Sequence, residues 1–362
     1  MTHSPSPVLA ERHGGVGLLT LNRPRALHAL DLDSVRALHA ALRAWADDAQ
    51  VFGVLLRSTP SQPPALCAGG DLKFFHRAAR AGDKGVDAFL SEEYALDHAI
   101  HRYPKPVLAC MDGIVMGGGM GISQGAWLRV LTERSRLSMP EVRIGLFPDV
   151  GGSWFLGRCP GRVGEYLALT GDALGAADAL ACGLGDRMVD SAALDALSAQ
   201  LLQARSAESW SALVDAAARD PGEPQLLRHR EAIDRHFCLP DLPAVLDSLR
   251  SDPGDFARSA LQMIAQGAPQ MLALSLQLVR RGRGMQLADV LRMERVAMHH
   301  CFHPPGGGGD ALEGIRALVI DKDRNPHWRP ARVEDVDAAA VEAFLLSPWA
   351  PAQHPLAGLV DA

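Results

Sequence analysis

Pro106-Val107-Leu108-Ala109-Cys110-Met111 leads within a few residues into Met116-Gly117-Gly118-Gly119-Met120-Gly121. A short apolar run closed by glycine reads as a buried strand. The glycine triplet lets the chain turn sharply and bring backbone N–H groups close to a ligand. A second stretch, Cys67-Ala68-Gly69-Gly70-Asp71, lies behind the apolar run Val51 to Leu56. Two such turns from adjacent strands can aim N–H groups at one carbonyl oxygen and so form an oxyanion hole. Taken singly, a glycine triplet reads more simply as a tight turn with close helix packing.

Outward from these turns, the first 130 residues alternate strand and helix signals. Val16 to Leu21, Val51 to Leu56, Pro106 to Met111 and Ala126 to Leu131 read as strands. Asp31 or Asp33 can cap a helix with Val35, Leu38, Leu42 and Trp45 at helical spacing, and Phe89, Leu96 and Ile100 mark one face of another. The rhythm predicts an α/β core. Beyond about residue 190 the chain turns helical: 194–218, 226–237, 242–250, 255–264, 272–281 and 287–300 all carry helical patterns. The expected division is a core over 1–192 and a helical region over 193–362, with a flexible glycine-rich loop at 304–310.

Composition narrows the function. The 362 residues are 48% hydrophobic, enough to bury a full core, and 36 Lys+Arg against 42 Asp+Glu leave a formal charge of −6. That balance argues against a nucleic-acid or membrane-surface binder, which needs a basic face. Six scattered cysteines lack zinc spacing and read as reduced thiols, and no secretory pattern opens the chain, so a cytoplasmic protein without a bound metal is expected.

Two further segments complete the candidate site: Met139-Pro140-Glu141, and Phe147-Pro148-Asp149-Val150-Gly151-Gly152. Read alone, Glu141 is a helix-start carboxylate, Asp149 a turn or cap residue, and Glu93 a solvated helix residue. Gly121-Ile122-Ser123-Gln124-Gly125 fits a nucleophile elbow in letters, yet the glycine triplet before it makes a poor strand, so Ser123 is expected on a helix. His299 and His300 are adjacent on a helix, do not share a face, and read as surface histidines.

Together the segments resemble the enoyl-CoA hydratase/isomerase (crotonase) superfamily, and within it the 3-hydroxyisobutyryl-CoA hydrolases. The resemblance runs from Leu21-Asn22-Arg23-Pro24 through the four segments to Glu313-Gly314-Ile315-Arg316-Ala317 and Asn325-Pro326. It implies a spiral of repeated ββα units and hydrolysis of a short 3-hydroxyacyl-CoA. No cofactor is implied, because CoA is part of the substrate. The implied oxyanion hole is the N–H groups of Ala68 and Gly118, with Gly117, Gly69 and Gly70 lining the acyl end. Glu141, 23 residues beyond Gly118, and Asp149 are the implied catalytic acids, and Glu93 the substrate-contacting one. Arg25, Ala26, Leu72 and Lys73 are implied along CoA. A hydratase keeps a second glutamate three residues after the oxyanion glycine, where this chain has Gly121. An enoyl-CoA hydratase/isomerase is therefore the second reading and a non-catalytic acyl-CoA binder the third. The superfamily implies a homo-oligomer, trimer-based or dimeric. Two departures stand out: Pro305 and four glycines separate His303-Pro304 from Asp310, and Arg143 puts a long cation beside Glu141.

Overall fold

The computed structural model describes residues 6–304 and 309–361. The contacts divide the chain into two compact units, each drawn from three stretches. One takes the chain up to Gly70, Ala95–Leu137 and Leu174–Pro224. The other takes Asp71–Tyr94, Ser138–Ala173 and the chain from Gln225 on.

The first unit is built on a six-stranded sheet. Its strands are β1 (Val8–His13), β2 (Val16–Leu21), β3 (Gly53–Ser58), β5 (Val107–Met111), β7 (Leu128–Thr132) and β9 (Arg187–Val189), in that spatial order. β1 pairs antiparallel with β2; the remaining pairings are parallel. A smaller sheet holds β4 (Ala65–Cys67), β6 (Ile114–Met116) and β8 (Arg136–Ser138). The chain alternates between the sheets: β3 then β4, β5 then β6, β7 then β8. β3, β5 and β7 of the large sheet are thus each followed by a short strand, and β4 and β6 are followed by helices α2 (Leu72–Ala81) and α4 (Gly118–Gln124). This is the repeated ββα spiral. α1 (Leu32–Ala46) is capped by Asp31, whose side chain accepts from Ser34 N–H. α3 (Gly85–His101) leads into β5.

β2 and β5 are buried along their whole length, as strands in a covered parallel sheet must be. One face of the large sheet is covered by α8 (Leu194–Gln203) and α9 (Ala207–Ala217), which enter the chain after the short helices α5 (Gly152–Gly157), α6 (Val163–Thr170) and α7 (Ala176–Ala181). Trp210 of α9 is fully buried against Val16, Leu18, Leu55 and Leu108, and its Nε1–H donates to the Leu201 carbonyl at 2.9 Å. Trp210→Ala is expected to cost about 3–5 kcal/mol, read by urea unfolding. A loss under about 1 kcal/mol would contradict this packing.

The second unit is chiefly helical. α10 (Arg230–Phe237), α11 (Leu242–Ser251), α12 (Asp255–Ile264), α13 (Pro269–Gly282), α14 (Leu287–Phe302) and α15 (Asp310–Ile315) follow in order. α13 packs on α5 and α6. Gly282 permits the approach: a Cβ there would sit 2.4 Å from the Ser153 carbonyl oxygen.

Several sequence expectations change in detail. The run 194–218 breaks at Ala204, and Ser206 caps a new helix. β1 escaped notice because its core is exposed and polar, as an edge strand allows. The glycine-rich loop expected at 304–310 falls mainly on 305–308, outside the described residues. No helix among the described residues is long and apolar enough to cross a membrane.

Candidate active site

In the first unit the two glycine turns lie side by side, because β4 and β6 pair in parallel. Gly119 makes the approach possible: a Cβ on it would lie 2.4 Å from the Cys67 carbonyl oxygen. Gly117 caps α4 at φ +49° and Gly69 sits at φ +98°, both in the left-handed half of φ that glycine tolerates. Gly118 opens α4, so its N–H belongs to the first turn, where no intrahelical carbonyl is available. Ala68 differs from the expectation. Its N–H donates to the Leu27 carbonyl at 3.0 Å, so it must share or exchange that partner before it can serve an oxyanion. Leu27 and His28 both take positive φ, +49° and +58°, and Leu30 N–H donates to the Gly69 carbonyl at 2.8 Å. The 22–30 segment is therefore laced to the 68–70 turn. Arg25 and Ala26 stand exposed in that segment.

Ser123 lies inside α4, buried, its Oγ donating to the Gly119 carbonyl at 2.7 Å. This is a helix back-bond rather than a nucleophile elbow.

The second unit gathers the acids. Glu93 on α3, Glu141 at the head of the 141–144 turn, and Asp149 before α5 are each at most 8% exposed. Burial raises all three carboxyls, and like charge adds to it for two of them: Asp149 and Glu141 push up Glu93, and Asp149 pushes up Glu141. Asp149 is pushed up to about 6 by burial, against the pull of Tyr94, whose hydroxyl donates to Asp149 Oδ2 at 2.6 Å. Glu93 Oε1 and Glu141 Oε2 are buried without hydrogen-bond partners. Such groups are costly in a finished core and suit a site that a polar ligand completes.

A fourth acid joins them. Glu294 of α14 is fully buried; one of its oxygens accepts from Gly151 N–H at 2.7 Å and the other from Ser153 N–H at 2.8 Å. Burial pushes its carboxyl up to about 8. The loop it grips contains Val150 at φ +53°, a strained setting for a β-branched residue. Glu294 thus holds the turn that presents Asp149.

The turn bearing Glu141 is braced from the C-terminal tail. A Cβ on Gly145 would lie 2.0 Å from the Asp310 carbonyl oxygen, and one on Gly314 would lie 2.3 Å from the Ile144 carbonyl carbon. Only glycine at both positions lets α15 approach so closely. Arg143 is turned to the Thr170 carbonyl, its Nη2 donating at 2.7 Å. Leu72 and Lys73 begin α2, half-buried and exposed respectively.

The surplus of buried acid has a stability consequence. Folded Glu93 keeps its proton to higher pH than the unfolded chain, which loses it near pH 4.3. The native state therefore binds more protons above that pH, and stability falls as pH rises through the window. Glu93→Gln is expected to unfold at higher urea concentration than the wild type at pH 8, with the gap narrowing toward pH 5. Equal midpoints at pH 8 would refute it.

A model of the enoyl-CoA hydratase/isomerase family matches residues 16–345. The 3-hydroxyisobutyryl-CoA hydrolase, mitochondrial, of Gallus gallus is 37% identical over 348 residues, 94% of this chain and 89% of that protein. Among solved structures, a carnitinyl-CoA dehydratase from Mycobacterium thermoresistibile is 37% identical with a TM-score of 0.88, over 94% of this chain and 96% of that one. An enoyl-CoA hydratase from Rhodobacter sphaeroides 2.4.1 is 35% identical with a TM-score of 0.87, over 95% and 98%.

Proposed function

We propose, since this chain belongs to the enoyl-CoA hydratase/isomerase family, that it hydrolyses a short 3-hydroxyacyl-CoA thioester, 3-hydroxyisobutyryl-CoA above all. Water and the thioester give the free acid and CoA. The observation that carries this reading is the acid set: Glu93, Glu141 and Asp149 buried together, with Gly121 where a hydratase keeps its second glutamate. That absence weighs against carrying over the dehydratase and hydratase names of the two solved relatives. The hydrolase named in Gallus gallus agrees with the acid set.

Gly118 N–H, joined by Ala68 N–H once it leaves Leu27, takes the charge that grows on the thioester oxygen; such a donor is typically worth about 10²–10³ in rate. Glu141 supplies the carboxylate. It attacks the carbonyl carbon and expels the CoA thiolate to leave an anhydride that water cleaves, or it takes the proton of an attacking water. One turnover in ¹⁸O-water is diagnostic where the product acid carries no label, since only the anhydride route, with water attacking the Glu141 carbonyl carbon, delivers an oxygen of Glu141 to the product. Glu93 accepts from the substrate's 3-hydroxyl, and Asp149, held by Tyr94 and by the Glu294-braced turn, positions water or that hydroxyl. Gly69, Gly70 and Gly117 leave room for the acyl end. Arg25 and Lys73 are the cations offered to CoA phosphates, with Ala26 and Leu72 beside them. The proposed chemistry asks for no redox cofactor and no metal.

A buried acceptor left without its hydroxyl is costly, so isobutyryl-CoA should be a poorer substrate than 3-hydroxyisobutyryl-CoA by about 10²-fold or more in kcat/KM. Equal values would remove Glu93 from acyl recognition. The six thiols, with no disulfide joining any two, fit a reducing compartment. The cytoplasm is one such compartment, while the Gallus gallus relative's name is mitochondrial. A trimer-based or dimeric assembly is what the family implies, and light scattering reads it.

A further inference from the structure

α3 and α14 carry the buried acids Glu93 and Glu294, and Asp87 of α3 comes together with His299 and His303 at the C-terminal end of α14. We propose that these three residues form a binding site for a zinc-class transition-metal ion. His299 lies in the last turn of α14 and His303 is the residue that caps it, its N–H donating to the His299 carbonyl at 2.9 Å, and Asp87 approaches both from α3. One donor atom from each lies within 4.8 Å of the other two. His299 Nδ1 is buried with no hydrogen-bond partner and stops 3.7 Å from Asp87 Oδ1, too far for a hydrogen bond. His303 Nε2 is 2.8 Å from Asp87 Oδ2.

Tetrahedral zinc with ligands at roughly 2.0–2.2 Å sets its ligand atoms about 3.3–3.6 Å apart. The three donor atoms, one from each residue and all within 4.8 Å of one another, need draw in by little more than an ångström at most to reach that spacing. Arg295 donates to Asp87 Oδ1 at 2.6 Å and fixes the carboxylate's orientation, the outer-shell support that metal ligands ordinarily have. His303 is half exposed, which gives an ion a way in and leaves room for water in the fourth position. Two imidazoles and one carboxylate suit zinc, nickel or copper better than magnesium or calcium. An ion there ties α3 to α14 and takes no part in thioester chemistry.

The test uses the full chain, stripped with a chelator and titrated calorimetrically with zinc chloride at pH 7.5. One zinc per chain is expected, with Tm raised by roughly 4 °C at a hundredfold excess over Kd. His299→Ala and His303→Ala should each weaken binding by at least about tenfold and abolish most of the Tm rise. No stoichiometric binding by the wild type would overturn the proposal. So would undiminished binding by the His299→Ala/His303→Ala double variant, which would place the zinc elsewhere, for instance on the exposed thiol Cys238.

Discussion

Glu141→Gln is expected to lower kcat for thioester hydrolysis by about 10³-fold, with KM changed little. The amide keeps the shape and much of the hydrogen bonding of the buried carboxyl, but it can neither attack the carbonyl nor take a proton from water. The fold should therefore survive. The pH profile gives a second handle. Burial first, then the charge of Asp149, holds the Glu141 carboxyl well above its usual range, so the active carboxylate form grows as pH rises. Asp149→Asn removes the larger of the two repulsive charges, leaving that of Glu294, and should move the acidic limb of the residual kcat/KM profile to lower pH. Activity of Glu141→Gln within tenfold of wild type would take Glu141 out of the chemistry.

Gly119→Ala should cost about 10²–10³ in kcat for a different reason. Its new Cβ would sit 2.4 Å from the Cys67 carbonyl oxygen and 3.0 Å from the Cys67 Cβ, so the two glycine turns must part. Cys67 immediately precedes Ala68 and Gly118 immediately precedes Gly119, so both donor peptides shift. Circular dichroism and Tm report whether the chain still folds, and a folded variant with kcat within threefold of wild type would show that these turns do not set the oxyanion geometry.

How much of this was legible in the sequence differs by residue. β2, β5 and β7 announced themselves as apolar runs because a parallel sheet covered on both faces demands them. β4, β6 and β8 hold three residues each, too few for a period, so the second sheet became visible only through pairing. Glu141 and Asp149 were found through their flanking motifs. Glu93, read alone as a solvated helix residue, sits on the stripe Phe89, Glu93, Leu96, Ile100 and is buried with it. Glu294 was missed, although it occupies the same kind of place between Leu287, Leu291, Met298 and Cys301. A charged residue on the apolar stripe of a helix is the signal that would have found both. No local pattern could show that Glu294 caps a turn 143 residues earlier. Ala68 shows the opposite limit: the motif named a donor, and the fold gives that N–H a partner in Leu27. His299 and His300 read as surface histidines, and His303, four residues beyond His299, was not singled out from the sequence; the structure brings it together with His299 and Asp87.

The central claim is that the chain cleaves the thioester and does not dehydrate the hydroxyacyl group. Incubation with 3-hydroxyisobutyryl-CoA, with products separated by chromatography and weighed by mass spectrometry, decides it directly. Free CoA and 3-hydroxyisobutyrate are expected in equal amounts. Accumulation of the unsaturated acyl-CoA with its thioester intact would contradict thioester hydrolysis and make the chain a dehydratase.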